Sequence, residues 1–184
     1  MLNLPKMKED KKINRIKSLS QKEVEVIAWL ESYEKYFFSI KDIESFFKNI
    51  KQRYNFTQKL LTKKRIIKLS KNKYYLVPIK ARGGGWAEDP FVIADEVMNG
   101  KNYFIGGWTA ANYYKLTDQI PFWIEVYTTK RQGRKKIFNT GFIFRRTTEN
   151  KIKKAIIRKI NKHPFRIMNK REIKKWMKLR EFLV

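Results

Sequence analysis

Hydrophobic and polar positions alternate with two different periods along this chain, and the first stretch with a helical period covers residues 20–33. Its apolar side chains recur at the spacing of one helix face, namely Val24, Ile27, Ala28 and Leu30. Ser20 is followed three residues later by Glu23, the sequence of a capping box. The pattern therefore predicts a first helix from about Ser20 to Tyr33.

Two further helices are predicted before residue 64. Ser39 is placed to cap a short helix over Ile40–Phe47, and a third helix follows from about Lys51 to Lys63. The apolar side chains of the third helix are predicted to face inward, and they are Tyr54, Phe56, Leu60 and Leu61. Its polar side chains are predicted to face outward, and they are Lys51, Gln52, Arg53, Asn55, Gln58 and Lys59.

The run Arg65–Leu69, the polar Ser70–Lys73 and the run Tyr74–Pro78 together predict a β-hairpin. Three helices followed by a hairpin are typical of a winged helix-turn-helix, here over residues 18–80. In such folds the last helix enters the major groove, where Arg, Gln and Asn contact base edges and lysines hold phosphates. The outward side chains of the third helix are thus candidate DNA-reading groups, with Lys71 and Lys73 as phosphate contacts on the wing. The other interpretation is a winged helix that serves only for protein interaction.

A new module is predicted after the glycine-rich joint of residues 81–87. Asp89–Pro90 marks a helix start, and Asn99–Gly100 marks its end. The stretch 103–131 then predicts a strand, a helix and a strand. Gly106 and Gly107 make the turn, Thr109 is the predicted helix cap, and Thr117–Asp118 is the predicted helix end.

The second strand of that stretch is predicted over Phe122–Thr129, and the basic segment Lys130–Lys136 after it as an exposed hairpin turn. Its cations are either phosphate contacts or merely solvated; the candidates are Lys130, Arg131, Arg134 and Lys135. Residues 151–184 predict two basic amphipathic helices joined at His163–Pro164. The predicted fold is α+β: a basic flexible arm (1–17), a winged helix-turn-helix (18–80), a joint (81–87), a small α/β domain (88–150) and a basic helical tail (151–184).

The net charge favours one class of partner. The 184 residues hold 43 Lys and Arg against 17 Asp and Glu, a formal net charge of +26 that favours a polyanion such as nucleic acid. The centre, residues 86–127, has two basic and six acidic side chains, whereas residues 151–184 have 13 basic and two acidic ones. Lysine enrichment from an AT-rich genome explains part of this excess, and we expect nucleic-acid binding to explain the rest.

The composition also excludes several classes of site. No cysteine is present, so disulfides and thiolate zinc sites are excluded, and the lone His163 cannot build an ordinary zinc site. No apolar run approaches the ~20 residues that span a bilayer, so we expect a cytoplasmic protein without a membrane partner. We also expect no cofactor.

Catalytic patterns are weak. The nuclease set Asp118, Glu125 and Lys130 is loosely spaced, and no lysine follows Gly83–Gly85 at P-loop spacing. The paired aromatics could stack single-stranded bases, but their spacing within the least basic part of the chain favours an ordinary core. We therefore expect a protein that is not an enzyme.

A series of local motifs resembles the AbiEi family of antitoxin and transcriptional-regulator proteins of type IV toxin–antitoxin, abortive-infection systems. The similarity covers residues 18–148 and rests on these motifs: NKYYLVP (72–78), GW (85–86), DPF (89–91), YFIGGWTAANYYKLTDQIP (103–121) and VYTTKR (126–131). The resemblance implies a winged helix that binds inverted repeats before its own operon, and a C-terminal domain that contributes to antitoxin action and DNA contact. It further implies a companion toxin resembling nucleotidyltransferases.

Carried over by position, the third helix and the wing would read DNA. The structural positions would be Trp108, Ala111, Tyr113, Leu116 and Pro121. The sequence departs from the family after Phe142–Arg146, where a further strand and an SDPE-like segment are expected and neither is recognised. A shortened lineage and a frameshifted end are both open explanations.

The resulting expectation is a DNA-binding repressor that autoregulates its operon, binds a two-fold operator as a dimer or cooperatively, and counteracts a nucleotidyltransferase-like toxin. The alternatives are a toxin-binding or nonspecific nucleic-acid-binding module without operator specificity and, third, a metal-dependent nuclease.

Overall fold

The protein is a mixed α+β structure with two sheets, seen in a computed structural model that describes residues 19–79 and 88–181. The chain divides into two compact units. Unit 1 comprises residues up to 68 together with 74–78, and unit 2 comprises residues 69–73 and the chain from residue 79 onward. The predicted arm (1–17) and glycine-rich joint (81–87) lie outside the described residues.

Unit 1 contains two α-helices, one 3₁₀ helix and a three-stranded sheet of order β1-β3-β2 among its described residues. Its elements in chain order are α1 (Gln21–Ser32), β1 (Phe37–Ser39), the 3₁₀ helix (Ile40–Phe46), α2 (Ile50–Thr62), β2 (Ile66–Lys68) and β3 (Lys73–Leu76).

Local caps place the first two helices where the sequence predicts them. The Ser20 amide donates to Glu23 Oε2 at 2.6 Å and the Glu23 amide donates to Ser20 Oγ at 3.3 Å, which completes the capping box of α1. The Ser39 amide donates to Asp42 Oδ2 at 2.6 Å at the start of the second helix, which is 3₁₀ rather than α-helical. Both helix positions are confirmed.

The predicted hairpin is also confirmed, since β2 and β3 pair antiparallel with Ile67 opposite Tyr75. Strand β1, which has three residues and borders β3, was not predicted. The helices and the sheet enclose one apolar core of buried side chains, which are Val26, Ile27, Leu30, Phe38, Ile43, Phe56, Leu60, Ile66, Tyr74 and Leu76.

Unit 2 is built around a six-stranded sheet of order β6-β7-β5-β4-β9-β8. Its elements in chain order are α3 (Pro90–Met98), β4 (Tyr103–Ile105), α4 (Gly107–Tyr113), β5 (Trp123–Thr128), β6 (Gly133–Ile137), β7 (Thr140–Arg146), α5 (Glu149–Lys153), β8 (Ala155–Ile160), β9 (His163–Met168) and α6 (Lys170–Glu181). No helix in the described ranges has the length and hydrophobicity to cross a bilayer.

The start and end signals of α3 act as predicted. Asp89 Oδ1 accepts from the Phe91 amide at 2.8 Å, Pro90 is the first helical residue, and Asn99 terminates the helix in the left-handed conformation at φ 52°. The predicted strand–helix–strand of residues 103–131 is likewise present as β4, α4 and β5.

Two details of that unit differ from the prediction. The helix begins at Gly107, so Thr109 is not its cap; the Thr109 hydroxyl accepts from the Glu125 amide of β5 at 2.9 Å instead. The helix ends at Tyr113 rather than at Thr117–Asp118, because Lys115 turns the backbone into the left-handed region at φ 54°.

The prediction of a basic helical tail over 151–184 is wrong in the middle of that segment. Residues 155–168 form the β8–β9 hairpin, which turns at Asn161–Lys162, where both residues have positive φ. Strand β9 then joins the main sheet parallel to β4, with Ile105 opposite Ile167. Helix α6 matches the second of the two predicted tail helices.

Candidate nucleic-acid interface

Helix α2 presents a continuous polar face to solvent. Asn49 Oδ1 caps the helix by accepting from the Gln52 amide at 2.9 Å, and Phe56, Thr57 and Leu60 anchor the opposite face in unit 1. The predicted DNA-reading residues that lie on the polar face, four exposed and Gln58 half-buried, are Lys51, Gln52, Asn55, Gln58 and Lys59.

Arg53 does not belong to that face. It precedes Phe56 by three residues and Thr57 by four, so it shares their buried side of the helix. Its side chain is only 13% exposed, and Nη1 donates to Glu44 Oε2 at 2.8 Å. The prediction that Arg53 faces outward is therefore wrong, because its guanidinium links α2 to Glu44 of the 3₁₀ helix. Its role as a base reader stays a prediction.

Tyr54 differs from its prediction in the opposite direction to Arg53. It was predicted to face the core, but it is 57% exposed. The buried arc of α2 is centred on Leu60, and position 54 falls outside it. Tyr54 thus borders the polar face one turn before Gln58.

The amide side chains of α2 are not equally available. Gln52 Oε1 accepts from the Lys48 amide at 3.2 Å and so helps to close the helix start. The side chains of Asn55 and Gln58 make no hydrogen bond within the described part of the chain. These two carboxamides are the ones that a ligand can engage without breaking an internal contact.

The two predicted wing lysines differ. The hairpin turn Leu69–Lys73 groups with unit 2, and within that unit Lys73 Nζ pairs with Glu96 Oε2 at 2.6 Å. Lys71 is exposed. Of this pair, Lys71 is therefore the side chain open to a phosphate.

The predicted hairpin turn at Lys130–Lys136 is wrong in its geometry. Gly133–Ile137 is the edge strand β6, which pairs with β7 and not with β5. Strand β7 pairs parallel with β5 and antiparallel with β6, so β7 lies between these two strands. The chain therefore passes from β5 to β6 without pairing the two strands. The basic side chains are consequently spread along a sheet edge.

The four candidate cations of that segment have distinct surroundings. Lys130 and Arg134 are exposed, and the guanidinium of Arg134 lies 5.4 Å from the centre of the Trp123 ring. Arg131 lies 4.0 Å above the Phe144 ring, and its burial lowers the pKa of the guanidinium. Lys135 Nζ donates to the Leu69 carbonyl at 2.6 Å. Arg131 and Lys135 thus make contacts within the protein, whereas Lys130 and Arg134 remain exposed.

A basic cleft that was not predicted lies in unit 2, with a volume of about 550 Å³. It is lined by strands β5, β6 and β7, the start of α5 and the last turns of α6. The cations that line it are Arg134, Arg145, Arg146, Lys151 and Arg180, and the aromatic side chains are Tyr127, Phe144 and Trp176. None of the described residues that line it is acidic.

A buried carboxylate supports this basic cleft from one side. Glu125 is 6% exposed, and its Oε2 accepts from Arg145 Nε at 2.9 Å and from the Tyr127 hydroxyl at 3.2 Å. Its Oε1 accepts from the Trp108 amide at 2.9 Å, at the start of α4. Burial, together with the negative charge of Glu125, raises the pKa of Tyr127, so the phenol stays protonated.

The sequence contains local patterns for the residues of the basic cleft, but these patterns do not show that the residues lie together. On β7, Phe142 and Phe144 alternate with their neighbours and face the core, so Arg145 is predicted to face the other side of the sheet. On α6, Trp176 and Arg180 are four residues apart and share one helix face. Bringing β7 and α6 together requires the long-range topology of unit 2. No pattern within either segment supplies that information.

Helix α6 carries a second basic surface, facing away from its packed side. Ile173 is buried and Trp176 is half-buried, whereas five cations share the exposed face. These are Lys170, Arg171, Lys174, Lys175 and Lys178. The amphipathic character predicted for this part of the tail is present here.

The residues considered for catalysis are dispersed or engaged. Asp118 is exposed, Glu125 is ion-paired to Arg145, and within residues 19–79 and 88–181 no group of three or more His, Asp or Glu side chains is placed to hold a metal ion. The lone histidine, His163, has its Nε2 3.2 Å from Asp95 Oδ2. The described residues thus present basic surfaces and no such group of carboxylates.

Comparison of the chain with protein-family models and with curated proteins gives no match.

Proposed function

We propose that this protein is a DNA-binding repressor in which unit 1 acts as a winged helix-turn-helix and α2 is the recognition helix. The observation that carries the proposal is the exposed polar face of α2, where Asn55 and Gln58 are unengaged and Lys51 and Lys59 flank them. Asn and Gln read adenine through paired hydrogen bonds in the major groove, and lysines hold the adjoining phosphates.

The element order of unit 1 supports this assignment. Two α-helices and a 3₁₀ helix precede the β2–β3 hairpin, which occupies the position of a wing, and exposed Lys71 lies in its turn. The net charge of +26 favours association with a polyanion. We assign no catalytic step to the protein.

The resemblance of residues 103–121 to AbiEi antitoxins supports autoregulation of an operon shared with a nucleotidyltransferase-like toxin. On this proposal two copies bind an inverted repeat upstream of the gene, so that the two-fold symmetry of the DNA matches that of the bound protein.

Fluorescence anisotropy tests the proposal. The full chain is titrated into labelled duplex from upstream of its gene and into a scrambled duplex, each over a salt series. Counterion release weakens both complexes as salt rises. A sequence-reading repressor keeps a much tighter upstream complex at physiological salt, whereas coinciding curves would refute the repressor assignment.

The variants assign the reading face. Asn55→Ala and Gln58→Ala are each expected to weaken the upstream complex by ~1–3 kcal/mol while leaving the scrambled complex unchanged. Lys51→Ala with Lys59→Ala is expected to weaken both duplexes similarly and to lower the salt slope by about 1 for each lost phosphate contact. Gln119→Ala, which removes an exposed amide from unit 2, is the matched control.

A second candidate is a toxin-binding module, and one observation favours it. Ile120 and Phe122 are each 87% exposed, on either side of Pro121. Large apolar side chains exposed this fully are often protein contacts. Tight association with a neighbouring nucleotidyltransferase-like protein that Phe122→Ser abolishes, together with absence of operator preference, would favour this function over the repressor.

A further inference from the structure

The basic cleft of unit 2 combines features that duplex reading by α2 does not use. We propose that it binds a nucleotide, with the phosphates held by its arginines and an unpaired base stacked on its aromatic side. The nucleotide is either free in solution or an unpaired unit of a single strand; both carry the same chemistry. This inference is independent of the repressor function.

The size and shape of the basic cleft suit one nucleotide. Its volume of about 550 Å³ lies within the ~300–1,000 Å³ typical of small-ligand sites. A double helix presents its phosphates along an extended surface and keeps its bases stacked inside, so it cannot place a base in a concave site of this size. The concavity therefore favours a single unpaired unit.

The charges of the basic cleft are arranged for phosphate. Arg145 uses Nε to bind Glu125, and its two terminal nitrogens have no partner among the described residues. The Glu125 bond fixes the plane of the guanidinium, and a fixed guanidinium fork matches the geometry of phosphate oxygens. Nη1 of Arg146 donates to the Thr129 carbonyl, which anchors a second guanidinium beside the first.

Glu125 does not cancel the positive potential of the basic cleft. It is a single buried carboxylate, and its charge offsets that of Arg145 alone. Arg134, Lys151 and Arg180 remain exposed around the opening. The lining thus attracts a ligand with several negative charges, such as a di- or triphosphate or a short stretch of backbone.

The aromatic side of the basic cleft supplies the preference for a base. Trp176 is half-buried, and its ring meets the edge of Trp108 at 5.2 Å between centres, which fixes its orientation. The guanidinium of Arg180 lies 4.6 Å from the centre of the Trp176 ring. Both indole rings and guanidinium planes stack on nucleobases, so this pair can hold a base beside the phosphate-binding arginines.

Competition binding with the full-length protein tests the proposal. The probes are ATP carrying a fluorescent label on its ribose and a labelled short oligothymidylate, both at physiological ionic strength. Unlabelled ATP, sodium pyrophosphate and a random duplex serve as competitors. We expect at least one of the two ligands, unlabelled ATP against the ATP probe or the single strand against the oligothymidylate probe, to compete about tenfold more effectively than pyrophosphate. The reason is that stacking of a base adds to the phosphate contacts.

Two sets of variants locate the site. Trp176→Leu is expected to weaken binding by about tenfold and Trp176→Phe to retain it, because phenylalanine keeps a stacking surface. Arg134→Ala with Lys151→Ala, both exposed and therefore compatible with folding, is also expected to weaken binding by about tenfold. The matched control removes the same charge from the outer face of α6 with Lys174→Ala and Lys178→Ala.

The probes distinguish the two nucleotide sources. Tight binding of labelled ATP identifies free nucleotide, and tight binding of the oligothymidylate alone identifies an unpaired strand. Equal displacement by pyrophosphate would overturn the proposal, as would an equal loss in the α6 control or full binding by both Trp176→Leu and the Arg134/Lys151 variant. Failure of the repressor function would appear separately, as loss of preference for the upstream duplex.

Discussion

Gly107→Ala is expected to destabilise unit 2 by about 2.5–5 kcal/mol, because both the backbone and the surrounding space require glycine at this position. Gly107 has φ +56°, and a left-handed backbone costs about 1–2 kcal/mol for a residue with a Cβ. A Cβ built there would lie 2.5 Å from Cδ and 2.6 Å from Oε2 of Glu125. The carboxylate must therefore move.

Moving Glu125 is costly because it is buried and hydrogen-bonded. Its Oε1 accepts from the Trp108 amide at 2.9 Å, and its Oε2 accepts from Arg145 Nε at 2.9 Å. Hydrogen bonds to charged groups contribute ~1.5–3 kcal/mol each. Losing about one such bond in addition to the backbone cost gives the expected range.

Chemical denaturation of the full chain, followed by tryptophan fluorescence, measures the loss of unfolding free energy. Hydrogen exchange shows whether that loss is centred on β5, which carries Glu125. Gly133→Ala is the matched control, because Gly133 also has positive φ, at +117°, but has no atom within 4 Å of the added Cβ. In a Glu125→Ala background the further cost of Gly107→Ala is expected to fall to the backbone cost of about 1–2 kcal/mol. Equal losses for Gly107→Ala and Gly133→Ala, or no coupling to Glu125, would refute the reasoning.

Two further predictions concern unit 1. Burial opposes ionisation of Asp42, but hydrogen bonds from Lys35 and Ser39 outweigh it and lower its pKa from 3.8 to about 2. Because the pKa of Asp42 is lower in the folded state than in the unfolded state, its ionised form stabilises the fold, by about 1–2 kcal/mol after solvent screening. This stabilisation is present above about pH 4 and is lost as pH falls towards 2. Denaturation measured over that pH range should show the loss in the parent protein but not in Asp42→Asn. Arg53→Met, which removes the pair with the exposed Glu44 but keeps an apolar stem, is expected to cost at most about 1 kcal/mol of stability and to leave the preference for the upstream duplex intact. A selective loss of the upstream complex at unchanged stability would return Arg53 to the reading face.

The elements that the sequence predicted correctly are those set by neighbouring residues. The capping box of Ser20 and Glu23 and the Asp89–Pro90 start of α3 depend on contacts within four positions. Such signals act before any tertiary structure forms, so they can be recognised in the sequence alone. The position of α2 followed in the same way from its apolar spacing.

The β8–β9 hairpin was missed because its pattern fits two structures. Ile152, Ile156 and Ile160 recur at four-residue intervals, which suits a helix face, and the same interval also suits one face of a strand. The parallel pairing of β9 with β4 decides between them, and it joins residues about 60 positions apart. No local pattern carries that information.

The rotation of α2 shows the same limit on a smaller scale. Arg53 and Tyr54 are adjacent, and hydrophobicity alone assigns the arginine to solvent and the tyrosine to the core. The structure reverses them, because the arginine's aliphatic stem can be buried when Glu44 receives its charged end. A sequence shows which groups are polar, but not which of them find a partner.

Polar groups with a partner and polar groups without one also distinguish the motif of residues 103–121 from the residues that we propose bind a ligand. Gly106 and Gly107 are confined by Tyr127 and Glu125, and Thr109 is hydrogen-bonded to β5, so these positions are occupied by the fold itself. Asn55, Gln58 and the terminal nitrogens of Arg145 are polar groups that the described structure leaves without partners. A long recognisable motif in this chain therefore marks how unit 2 is built, and binding is to be sought where hydrogen-bonding capacity is left over.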